Sequence, residues 1–182
     1  MSDREETELH RSVPVGVVLE RRDIDHKWAK HSWRAAAVMP GVAGVEDWTE
    51  LRSGPGWVLY HARTLTITLH RKETEGYKYN LSTETPAAYV VLRPGEEADE
   101  NDVEPALVTV CPYEAQDYLD SGEEQVDAVE LPAEIAAWMA DFIDRHHVDE
   151  VFKKRKRRPH DPRKEGFDRP PPPVARDRRY RQ

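Results

Sequence analysis

The chain has 182 residues, about one domain's worth, with 38% apolar and 34% charged residues and more prolines (14) than glycines (9), so its core is modest and part of the chain is expected outside it. Its longest wholly apolar run, Ala35 to Met39, is far short of the ~20 residues of a membrane-spanning helix. The charged start MSDREETELHRS lacks the apolar stretch of a signal peptide, and the single cysteine, Cys111, excludes an internal disulfide or a multi-cysteine metal site. The expectation is a soluble cytoplasmic protein without a membrane segment.

Val15, Val17 and Leu19 alternate along the chain, which suits a first strand with one buried face. Trp33 to Val38 reads as a second short strand ending at Met39-Pro40-Gly41, and Trp57 to His61 as another after the Ser53-Gly54-Pro55-Gly56 turn. From Arg63 to Arg93 the pattern predicts a three-stranded meander. Leu65, Ile67 and Leu69 alternate with threonines, Lys72 to Gly76 turns, Tyr77, Tyr79 and Leu81 alternate with polar residues, and Ala87 to Leu92 follows the turn at Pro86. The acidic stretch Glu96 to Glu104 reads as a loop and Ala106 to Cys111 as a strand. Pro112 opens a short helix over Tyr113 to Leu119 that Gly122 stops, and Val126 to Leu131 is a further strand. The strongest helix begins near Pro132. Its stripe of Ile135, Trp138, Met139, Phe142 and Ile143 falls at helical spacing, with His146 and His147 in the last turn. The fold class is therefore α+β: a small antiparallel sheet, a meander, packed by one long and one short C-terminal helix.

The net charge of −8 hides two opposed segments. Residues 151–182 carry 13 Lys and Arg against 4 Asp and Glu, a surplus of +9, whereas residues 1–150 carry 14 against 31, which is −17. The basic segment holds the run Lys153, Lys154, Arg155, Lys156, Arg157, Arg158 and the proline run Pro170 to Pro173, with few side chains able to bury surface. We expect a disordered N-terminus over 1–11, a single domain over 12–150, and a disordered basic tail over 151–182.

No motif assigns chemistry. The chain lacks the glycine-rich loops G-x-x-x-x-G-K-[ST] and G-x-G-x-x-G of nucleotide sites. Its histidines lack metal-ligand spacing, so neither a metal nor another cofactor is expected. Cys111 reads as a small buried side chain rather than a nucleophile, and no residue stands out as catalytic. Trp28, Trp33, Trp48 and Trp57 lie within thirty positions of one another, mixed with Lys27, Lys30, His31 and Arg34. Such aromatics serve a core or an interface equally well. The candidate partner-binding residues are Trp28, Trp33 and Arg34, extended by the tail residues Lys153 to Arg158. A protein partner ranks first, self-association second, and nucleic acid third, because the acidic body repels a polyanion.

The opening Val13-Pro14-Val15-Gly16-Val17-Val18-Leu19-Glu20-Arg21-Arg22, followed by Trp28 and Ser32-Trp33-Arg34, resembles a bacterial family of unknown function. So does the ending from Val151-Phe152 through the basic run to Pro159-His160-Asp161-Pro162-Arg163. Members are often labelled molybdopterin-guanine dinucleotide biosynthesis protein A and are encoded near molybdenum-dependent formate dehydrogenases. The resemblance implies a non-catalytic accessory or assembly protein for such an enzyme, its partner being a molybdoenzyme subunit or a maturation factor. One alternative is a nucleotidyl-transfer enzyme of the molybdenum cofactor pathway, although the glycine-rich loop and alternating strand–helix order of such an enzyme are missing here. The other is a nucleic-acid-associated module using the tail.

Overall fold

The computed structural model describes residues 10–27, 29–42, 44–95 and 103–148. The Glu96–Asp102 part of the expected acidic loop and the two expected disordered ends, apart from His10 and Arg11, lie outside the described residues. In chain order the elements are β1 (His10–Asp23), β2 (His31–Pro40), β3 (Thr49–Gly54), β4 (Trp57–His70), a 3-10 turn over Arg71–Glu73, α1 (Thr74–Ser82), β5 (Ala87–Pro94), β6 (Val103–Thr109), α2 (Pro112–Ser121), β7 (Gln125–Glu130) and α3 (Ala133–His146). The architecture is α+β, with a four-stranded antiparallel sheet ordered β2-β1-β4-β3 and a three-stranded one ordered β6-β5-β7.

One core joins the two sheets. Val15, Val17 and Leu19 of β1, Ala35 and Val38 of β2, and Ile67 and Leu69 of β4 meet Val90 and Leu92 of β5, Val108 of β6 and Val129 of β7. The sheets also approach along two seams, β4 beside β6 and β2 beside β7. Arg63 pairs with Glu104 across the first. Across the second, Asp127 Oδ2 accepts the Ala35 backbone N–H at 2.7 Å and Gln125 Nε2 donates to the Trp33 carbonyl at 3.2 Å. Side chains thus satisfy part of the outer edge of β2 where no strand does, which a buried backbone group requires.

The expected strands at Trp57–His61 and from Arg63 form one strand of 14 residues, with an irregularity in its pairing to β1 where Val17 faces Arg63 and Val18 faces His61. β3 carries no alternation in its sequence because nearly every residue along it is exposed. The middle strand of the expected meander is instead helix α1. Tyr77, Tyr79 and Leu81 do alternate, but the residues that α1 buries are Thr74, Gly76, Tyr77 and Asn80, a helical face. The Tyr77 hydroxyl donates to Glu73 Oε2 at 2.7 Å and accepts the His70 backbone N–H at 3.0 Å, and burial pushes this phenol above its ordinary value. Asn80 locks the helix end to both neighbouring segments, donating to the Ala87 and Val110 carbonyls at 2.7 and 2.8 Å and accepting the Ala87 N–H at 3.0 Å.

α2 starts at Pro112 and is capped by Gly122, as its sequence predicts. α3 buries Ile135, Met139 and Phe142, while Trp138 and Ile143 pack at the margin of the core; each fully buried side chain of this kind contributes about 1.5–3 kcal/mol. The Phe142 ring meets Tyr77 edge-on at 6.4 Å, and Arg11 of β1 holds Asp141 of α3 at 2.8 Å. Among the described residues no helix is long and apolar enough to cross a membrane.

Candidate partner-binding surface

Trp33 and Arg34 are consecutive residues of β2, so their side chains leave the sheet on opposite faces. Trp33 turns to the core side. There it meets Trp48 at 5.7 Å and Tyr60 at 6.0 Å, and Trp48 meets Tyr60 at 6.2 Å, all between ring centroids. The Arg21 guanidinium lies 5.6 Å from the Tyr60 ring centroid. Trp48 is placed by a left-handed backbone (φ 60°) at the end of the β2–β3 connection and by its N–H bond to the Ala62 carbonyl. Trp33 Nε1 and Arg21 Nε are buried in this cluster with no hydrogen-bond partner among the described residues. Both tryptophans are partly buried against the core, so of the even choice between core and surface their packing favours the core.

Arg34 belongs to the other, outer face. The register places Arg34 of β2 opposite Glu20 of β1, Glu20 opposite Leu59 of β4, and Leu59 opposite Arg52 of β3. The next row across the sheet is Ser32, Arg22, Trp57 and Gly54. Glu20 is 5% exposed and is shared by two cations. Arg22 Nε donates to Oε1 at 2.6 Å, and Arg34 donates to Oε2 through Nε. Burial works against the charge of this carboxyl, but the Arg22 and Arg34 hydrogen bonds outweigh it and hold the group below its ordinary value. The Arg22 and Arg34 side chains stay 57% and 60% exposed, leaving their remaining donors turned to solvent. Arg52 lies 5.9 Å from the Trp57 ring centroid. The ring itself lies on Gly54, where a Cβ would come within 2.6–2.8 Å of it.

The remainder of this face is closed. His61, two residues along from Leu59, is 1% exposed, because the β2–β3 connection folds over it. Its Nδ1 lies 3.2 Å from the Glu46 carbonyl and its Nε2 3.2 Å from Thr64 Oγ1. What stays open is the end that carries Arg34, Arg22, Arg52, Leu59 and Trp57.

Of the residues singled out in the sequence, Trp33 and Arg34 are thus separated by the sheet, while Trp28 and the run Lys153 to Arg158 lie outside the described residues. Sequence reading missed Glu20, Arg22, Arg52 and Trp57 as a group. The Glu20/Arg22 spacing was visible, but Arg52 joins them only through a strand that has no pattern of its own. Cys111 is 2% exposed at the start of α2, and burial raises its thiol, which suits a packing residue and not a thiolate nucleophile. Among the described residues no group of three or more His, Cys, Asp and Glu is placed to hold a metal ion.

The chain is thus a small α+β protein that carries Arg22, Arg34, Arg52 and Trp57 on one face of its larger sheet. Residues 14–157 match the family described as Protein of unknown function (DUF3305), and the chain belongs to that family. No curated protein and no solved structure matches it.

Proposed function

We propose that this chain is a non-catalytic accessory protein that docks on another protein through the outer face of its four-stranded sheet. The observation that carries this reading is the placing of Arg22, Arg34 and Arg52 on one sheet face with Trp57 on a chain whose residues 1–150 carry a charge of −17. Arginine and tryptophan are the residues that dominate interface energetics, and arginine offers a planar fork to carboxylates. The family resemblance in the sequence supports a molybdenum-dependent enzyme such as formate dehydrogenase, or a factor that matures it, as the partner. The basic run Lys153 to Arg158, and Trp28 between β1 and β2, would extend the contact.

Affinity capture from the source organism tests this, comparing the full chain with a truncation ending at Glu150 and with the full chain carrying Arg34→Glu and Arg52→Glu. A molybdoenzyme subunit or maturation factor that comes down with the full chain and is lost in the variants supports the reading. A full chain that returns alone overturns it. Binding of nucleic acid in place of protein favours the module reading instead.

A further inference from the structure

We infer that the open end of the outer sheet face is a receptor for an extended acidic segment of a partner, two carboxylates flanking one apolar side chain in the pattern acidic–x–apolar–x–acidic. This deepens the docking reading above and rests on it. The spacing comes from the sheet. Arg34 and Arg52 stand in the same row on β2 and β3, with β1 and β4 between them. Three strand spacings of about 4.8 Å set their Cα atoms about 14 Å apart. An extended chain advances about 13 Å over four residues, so side chains at i and i+4 of a segment laid across the strands reach both arginines. The side chain at i+2 then falls midway between them, where Leu59 of β4 lies beside the arginine-paired Glu20 of β1 and Trp57 stands next to Leu59 in the neighbouring row.

Charge sets the chemistry of the occupant. The two rows carry three guanidinium groups, Arg22, Arg34 and Arg52, against a single carboxylate, Glu20, which leaves them two positive charges in excess. Glu20 is also the internal model of what the patch takes, a carboxylate held by two arginines at once. The acidic remainder of the body opposes a polyanion over its whole length. A short segment meets only charges within about a Debye length, ~8 Å at physiological salt, and the charged residues of the two rows it would cross are Arg34, Glu20, Arg52 and Arg22. Trp57 is set for contact by Gly54 beneath it and Arg52 beside it, a rigid aromatic anchor of the kind that costs little entropy on binding.

The test uses the purified full chain and a labelled peptide centred on Glu-Ser-Leu-Ser-Glu, read by fluorescence anisotropy at low salt. The controls are Gln-Ser-Leu-Ser-Gln, Glu-Ser-Ser-Ser-Glu and a single-stranded oligonucleotide. The acidic peptide is expected to bind at least tenfold more tightly than the glutamine peptide and measurably more tightly than the one lacking leucine, and to weaken as salt rises. Arg52→Glu, which breaks no ion pair among the described residues, should weaken binding on the order of tenfold by turning one attraction into a repulsion. Arg22→Gln, checked for folding by circular dichroism, supplies a second variant. Equal binding of the glutamine peptide, indifference to both variants, or tighter binding of the oligonucleotide overturns the inference. If a partner is still captured from the organism when the peptide fails, this site is wrong and the docking reading stands. If neither peptide nor partner binds, both fall.

Discussion

Asp127 of β7 accepts the backbone N–H of Ala35 in β2 at 2.7 Å, one carboxylate oxygen doing the work of a missing strand where the two sheets meet. Gln125 completes the junction, donating to the Trp33 carbonyl and to both Asp127 oxygens. Asp127→Ala therefore leaves a buried donor unpaired and frees the edge of β2. The expected loss is about 1–3 kcal/mol, read as a lower urea midpoint. Because Trp33 sits beside Ala35, the variant should also change tryptophan fluorescence before global unfolding. A midpoint within ~0.3 kcal/mol of the parent's would show that the seam is held by apolar packing alone.

Glu20 makes stability depend on acid. Its folded value lies below the ordinary carboxylate range, against burial, because Arg22 and Arg34 bond to the charged form. A depressed value means the unfolded chain takes up the proton first as pH falls. The stabilisation is complete above the ordinary value near 4.5 and is lost as pH drops through the folded value. Glu20→Gln removes that dependence and leaves Arg22 and Arg34 without their counter-charge. At neutral pH it should cost about 2 kcal/mol. Denaturation midpoints compared between pH 6 and about pH 3 should converge for parent and variant as acid removes the difference. A constant gap across that range would contradict the assignment.

The sequence carried most of this fold and little of the site, for separable reasons. β1 and α3 carry a clear period, β5 is rich in strand formers after a turn, and β2 and α2 are marked by turn or cap residues; all lie close to where those signals place them. Residues 77–82 satisfy two periods at once. Alternation selects Tyr77, Tyr79 and Leu81, whereas the helix buries Tyr77 and Asn80 and leaves Tyr79 exposed. What settles the choice is polar and tertiary, the Asn80 bonds to Ala87 and Val110, and hydrophobicity does not register a buried asparagine. The outer face depends on register between β1, β2, β3 and β4. Arg34 and Arg52 are eighteen positions apart and on strands that never touch, so no local spacing reveals them as a pair.

Gly76 should behave contrary to propensity. In a helix interior, glycine to alanine ordinarily gains about 1 kcal/mol. Here the new Cβ would lie 2.8 Å from Cys111 Sγ, closer than packed atoms approach, and a tight 3.1 Å from Tyr113 Cδ2. Gly76→Ala is expected to destabilise by about 1–3 kcal/mol, measured by thermal melting. Cys111→Ala removes the sulfur, so the double variant should recover part of the loss, giving a coupling of at least ~0.5 kcal/mol. Additive effects would place the strain elsewhere.

Asn80 separates the role of its donors from that of its shape. The amide nitrogen serves the Ala87 and Val110 carbonyls and the amide oxygen takes the Ala87 N–H, at a position 1% exposed to solvent. Asn80→Leu abandons three backbone groups and should cost about 3 kcal/mol or more. Asn80→Asp keeps size and the acceptor but turns a charged oxygen toward two carbonyls. Burial and those carbonyls would raise the folded value of the new carboxyl above its unfolded one, so at neutral pH the variant is penalised for its charge. Lowering the pH through that raised value protonates the group, restores one donor, and should narrow its gap to the parent. The asparagine's function is therefore readable as the sign of a pH slope: a gap that narrows toward acid identifies donation to Ala87 and Val110 as what fastens α1 to the second sheet. A gap independent of pH would instead assign that role to the Tyr77 packing.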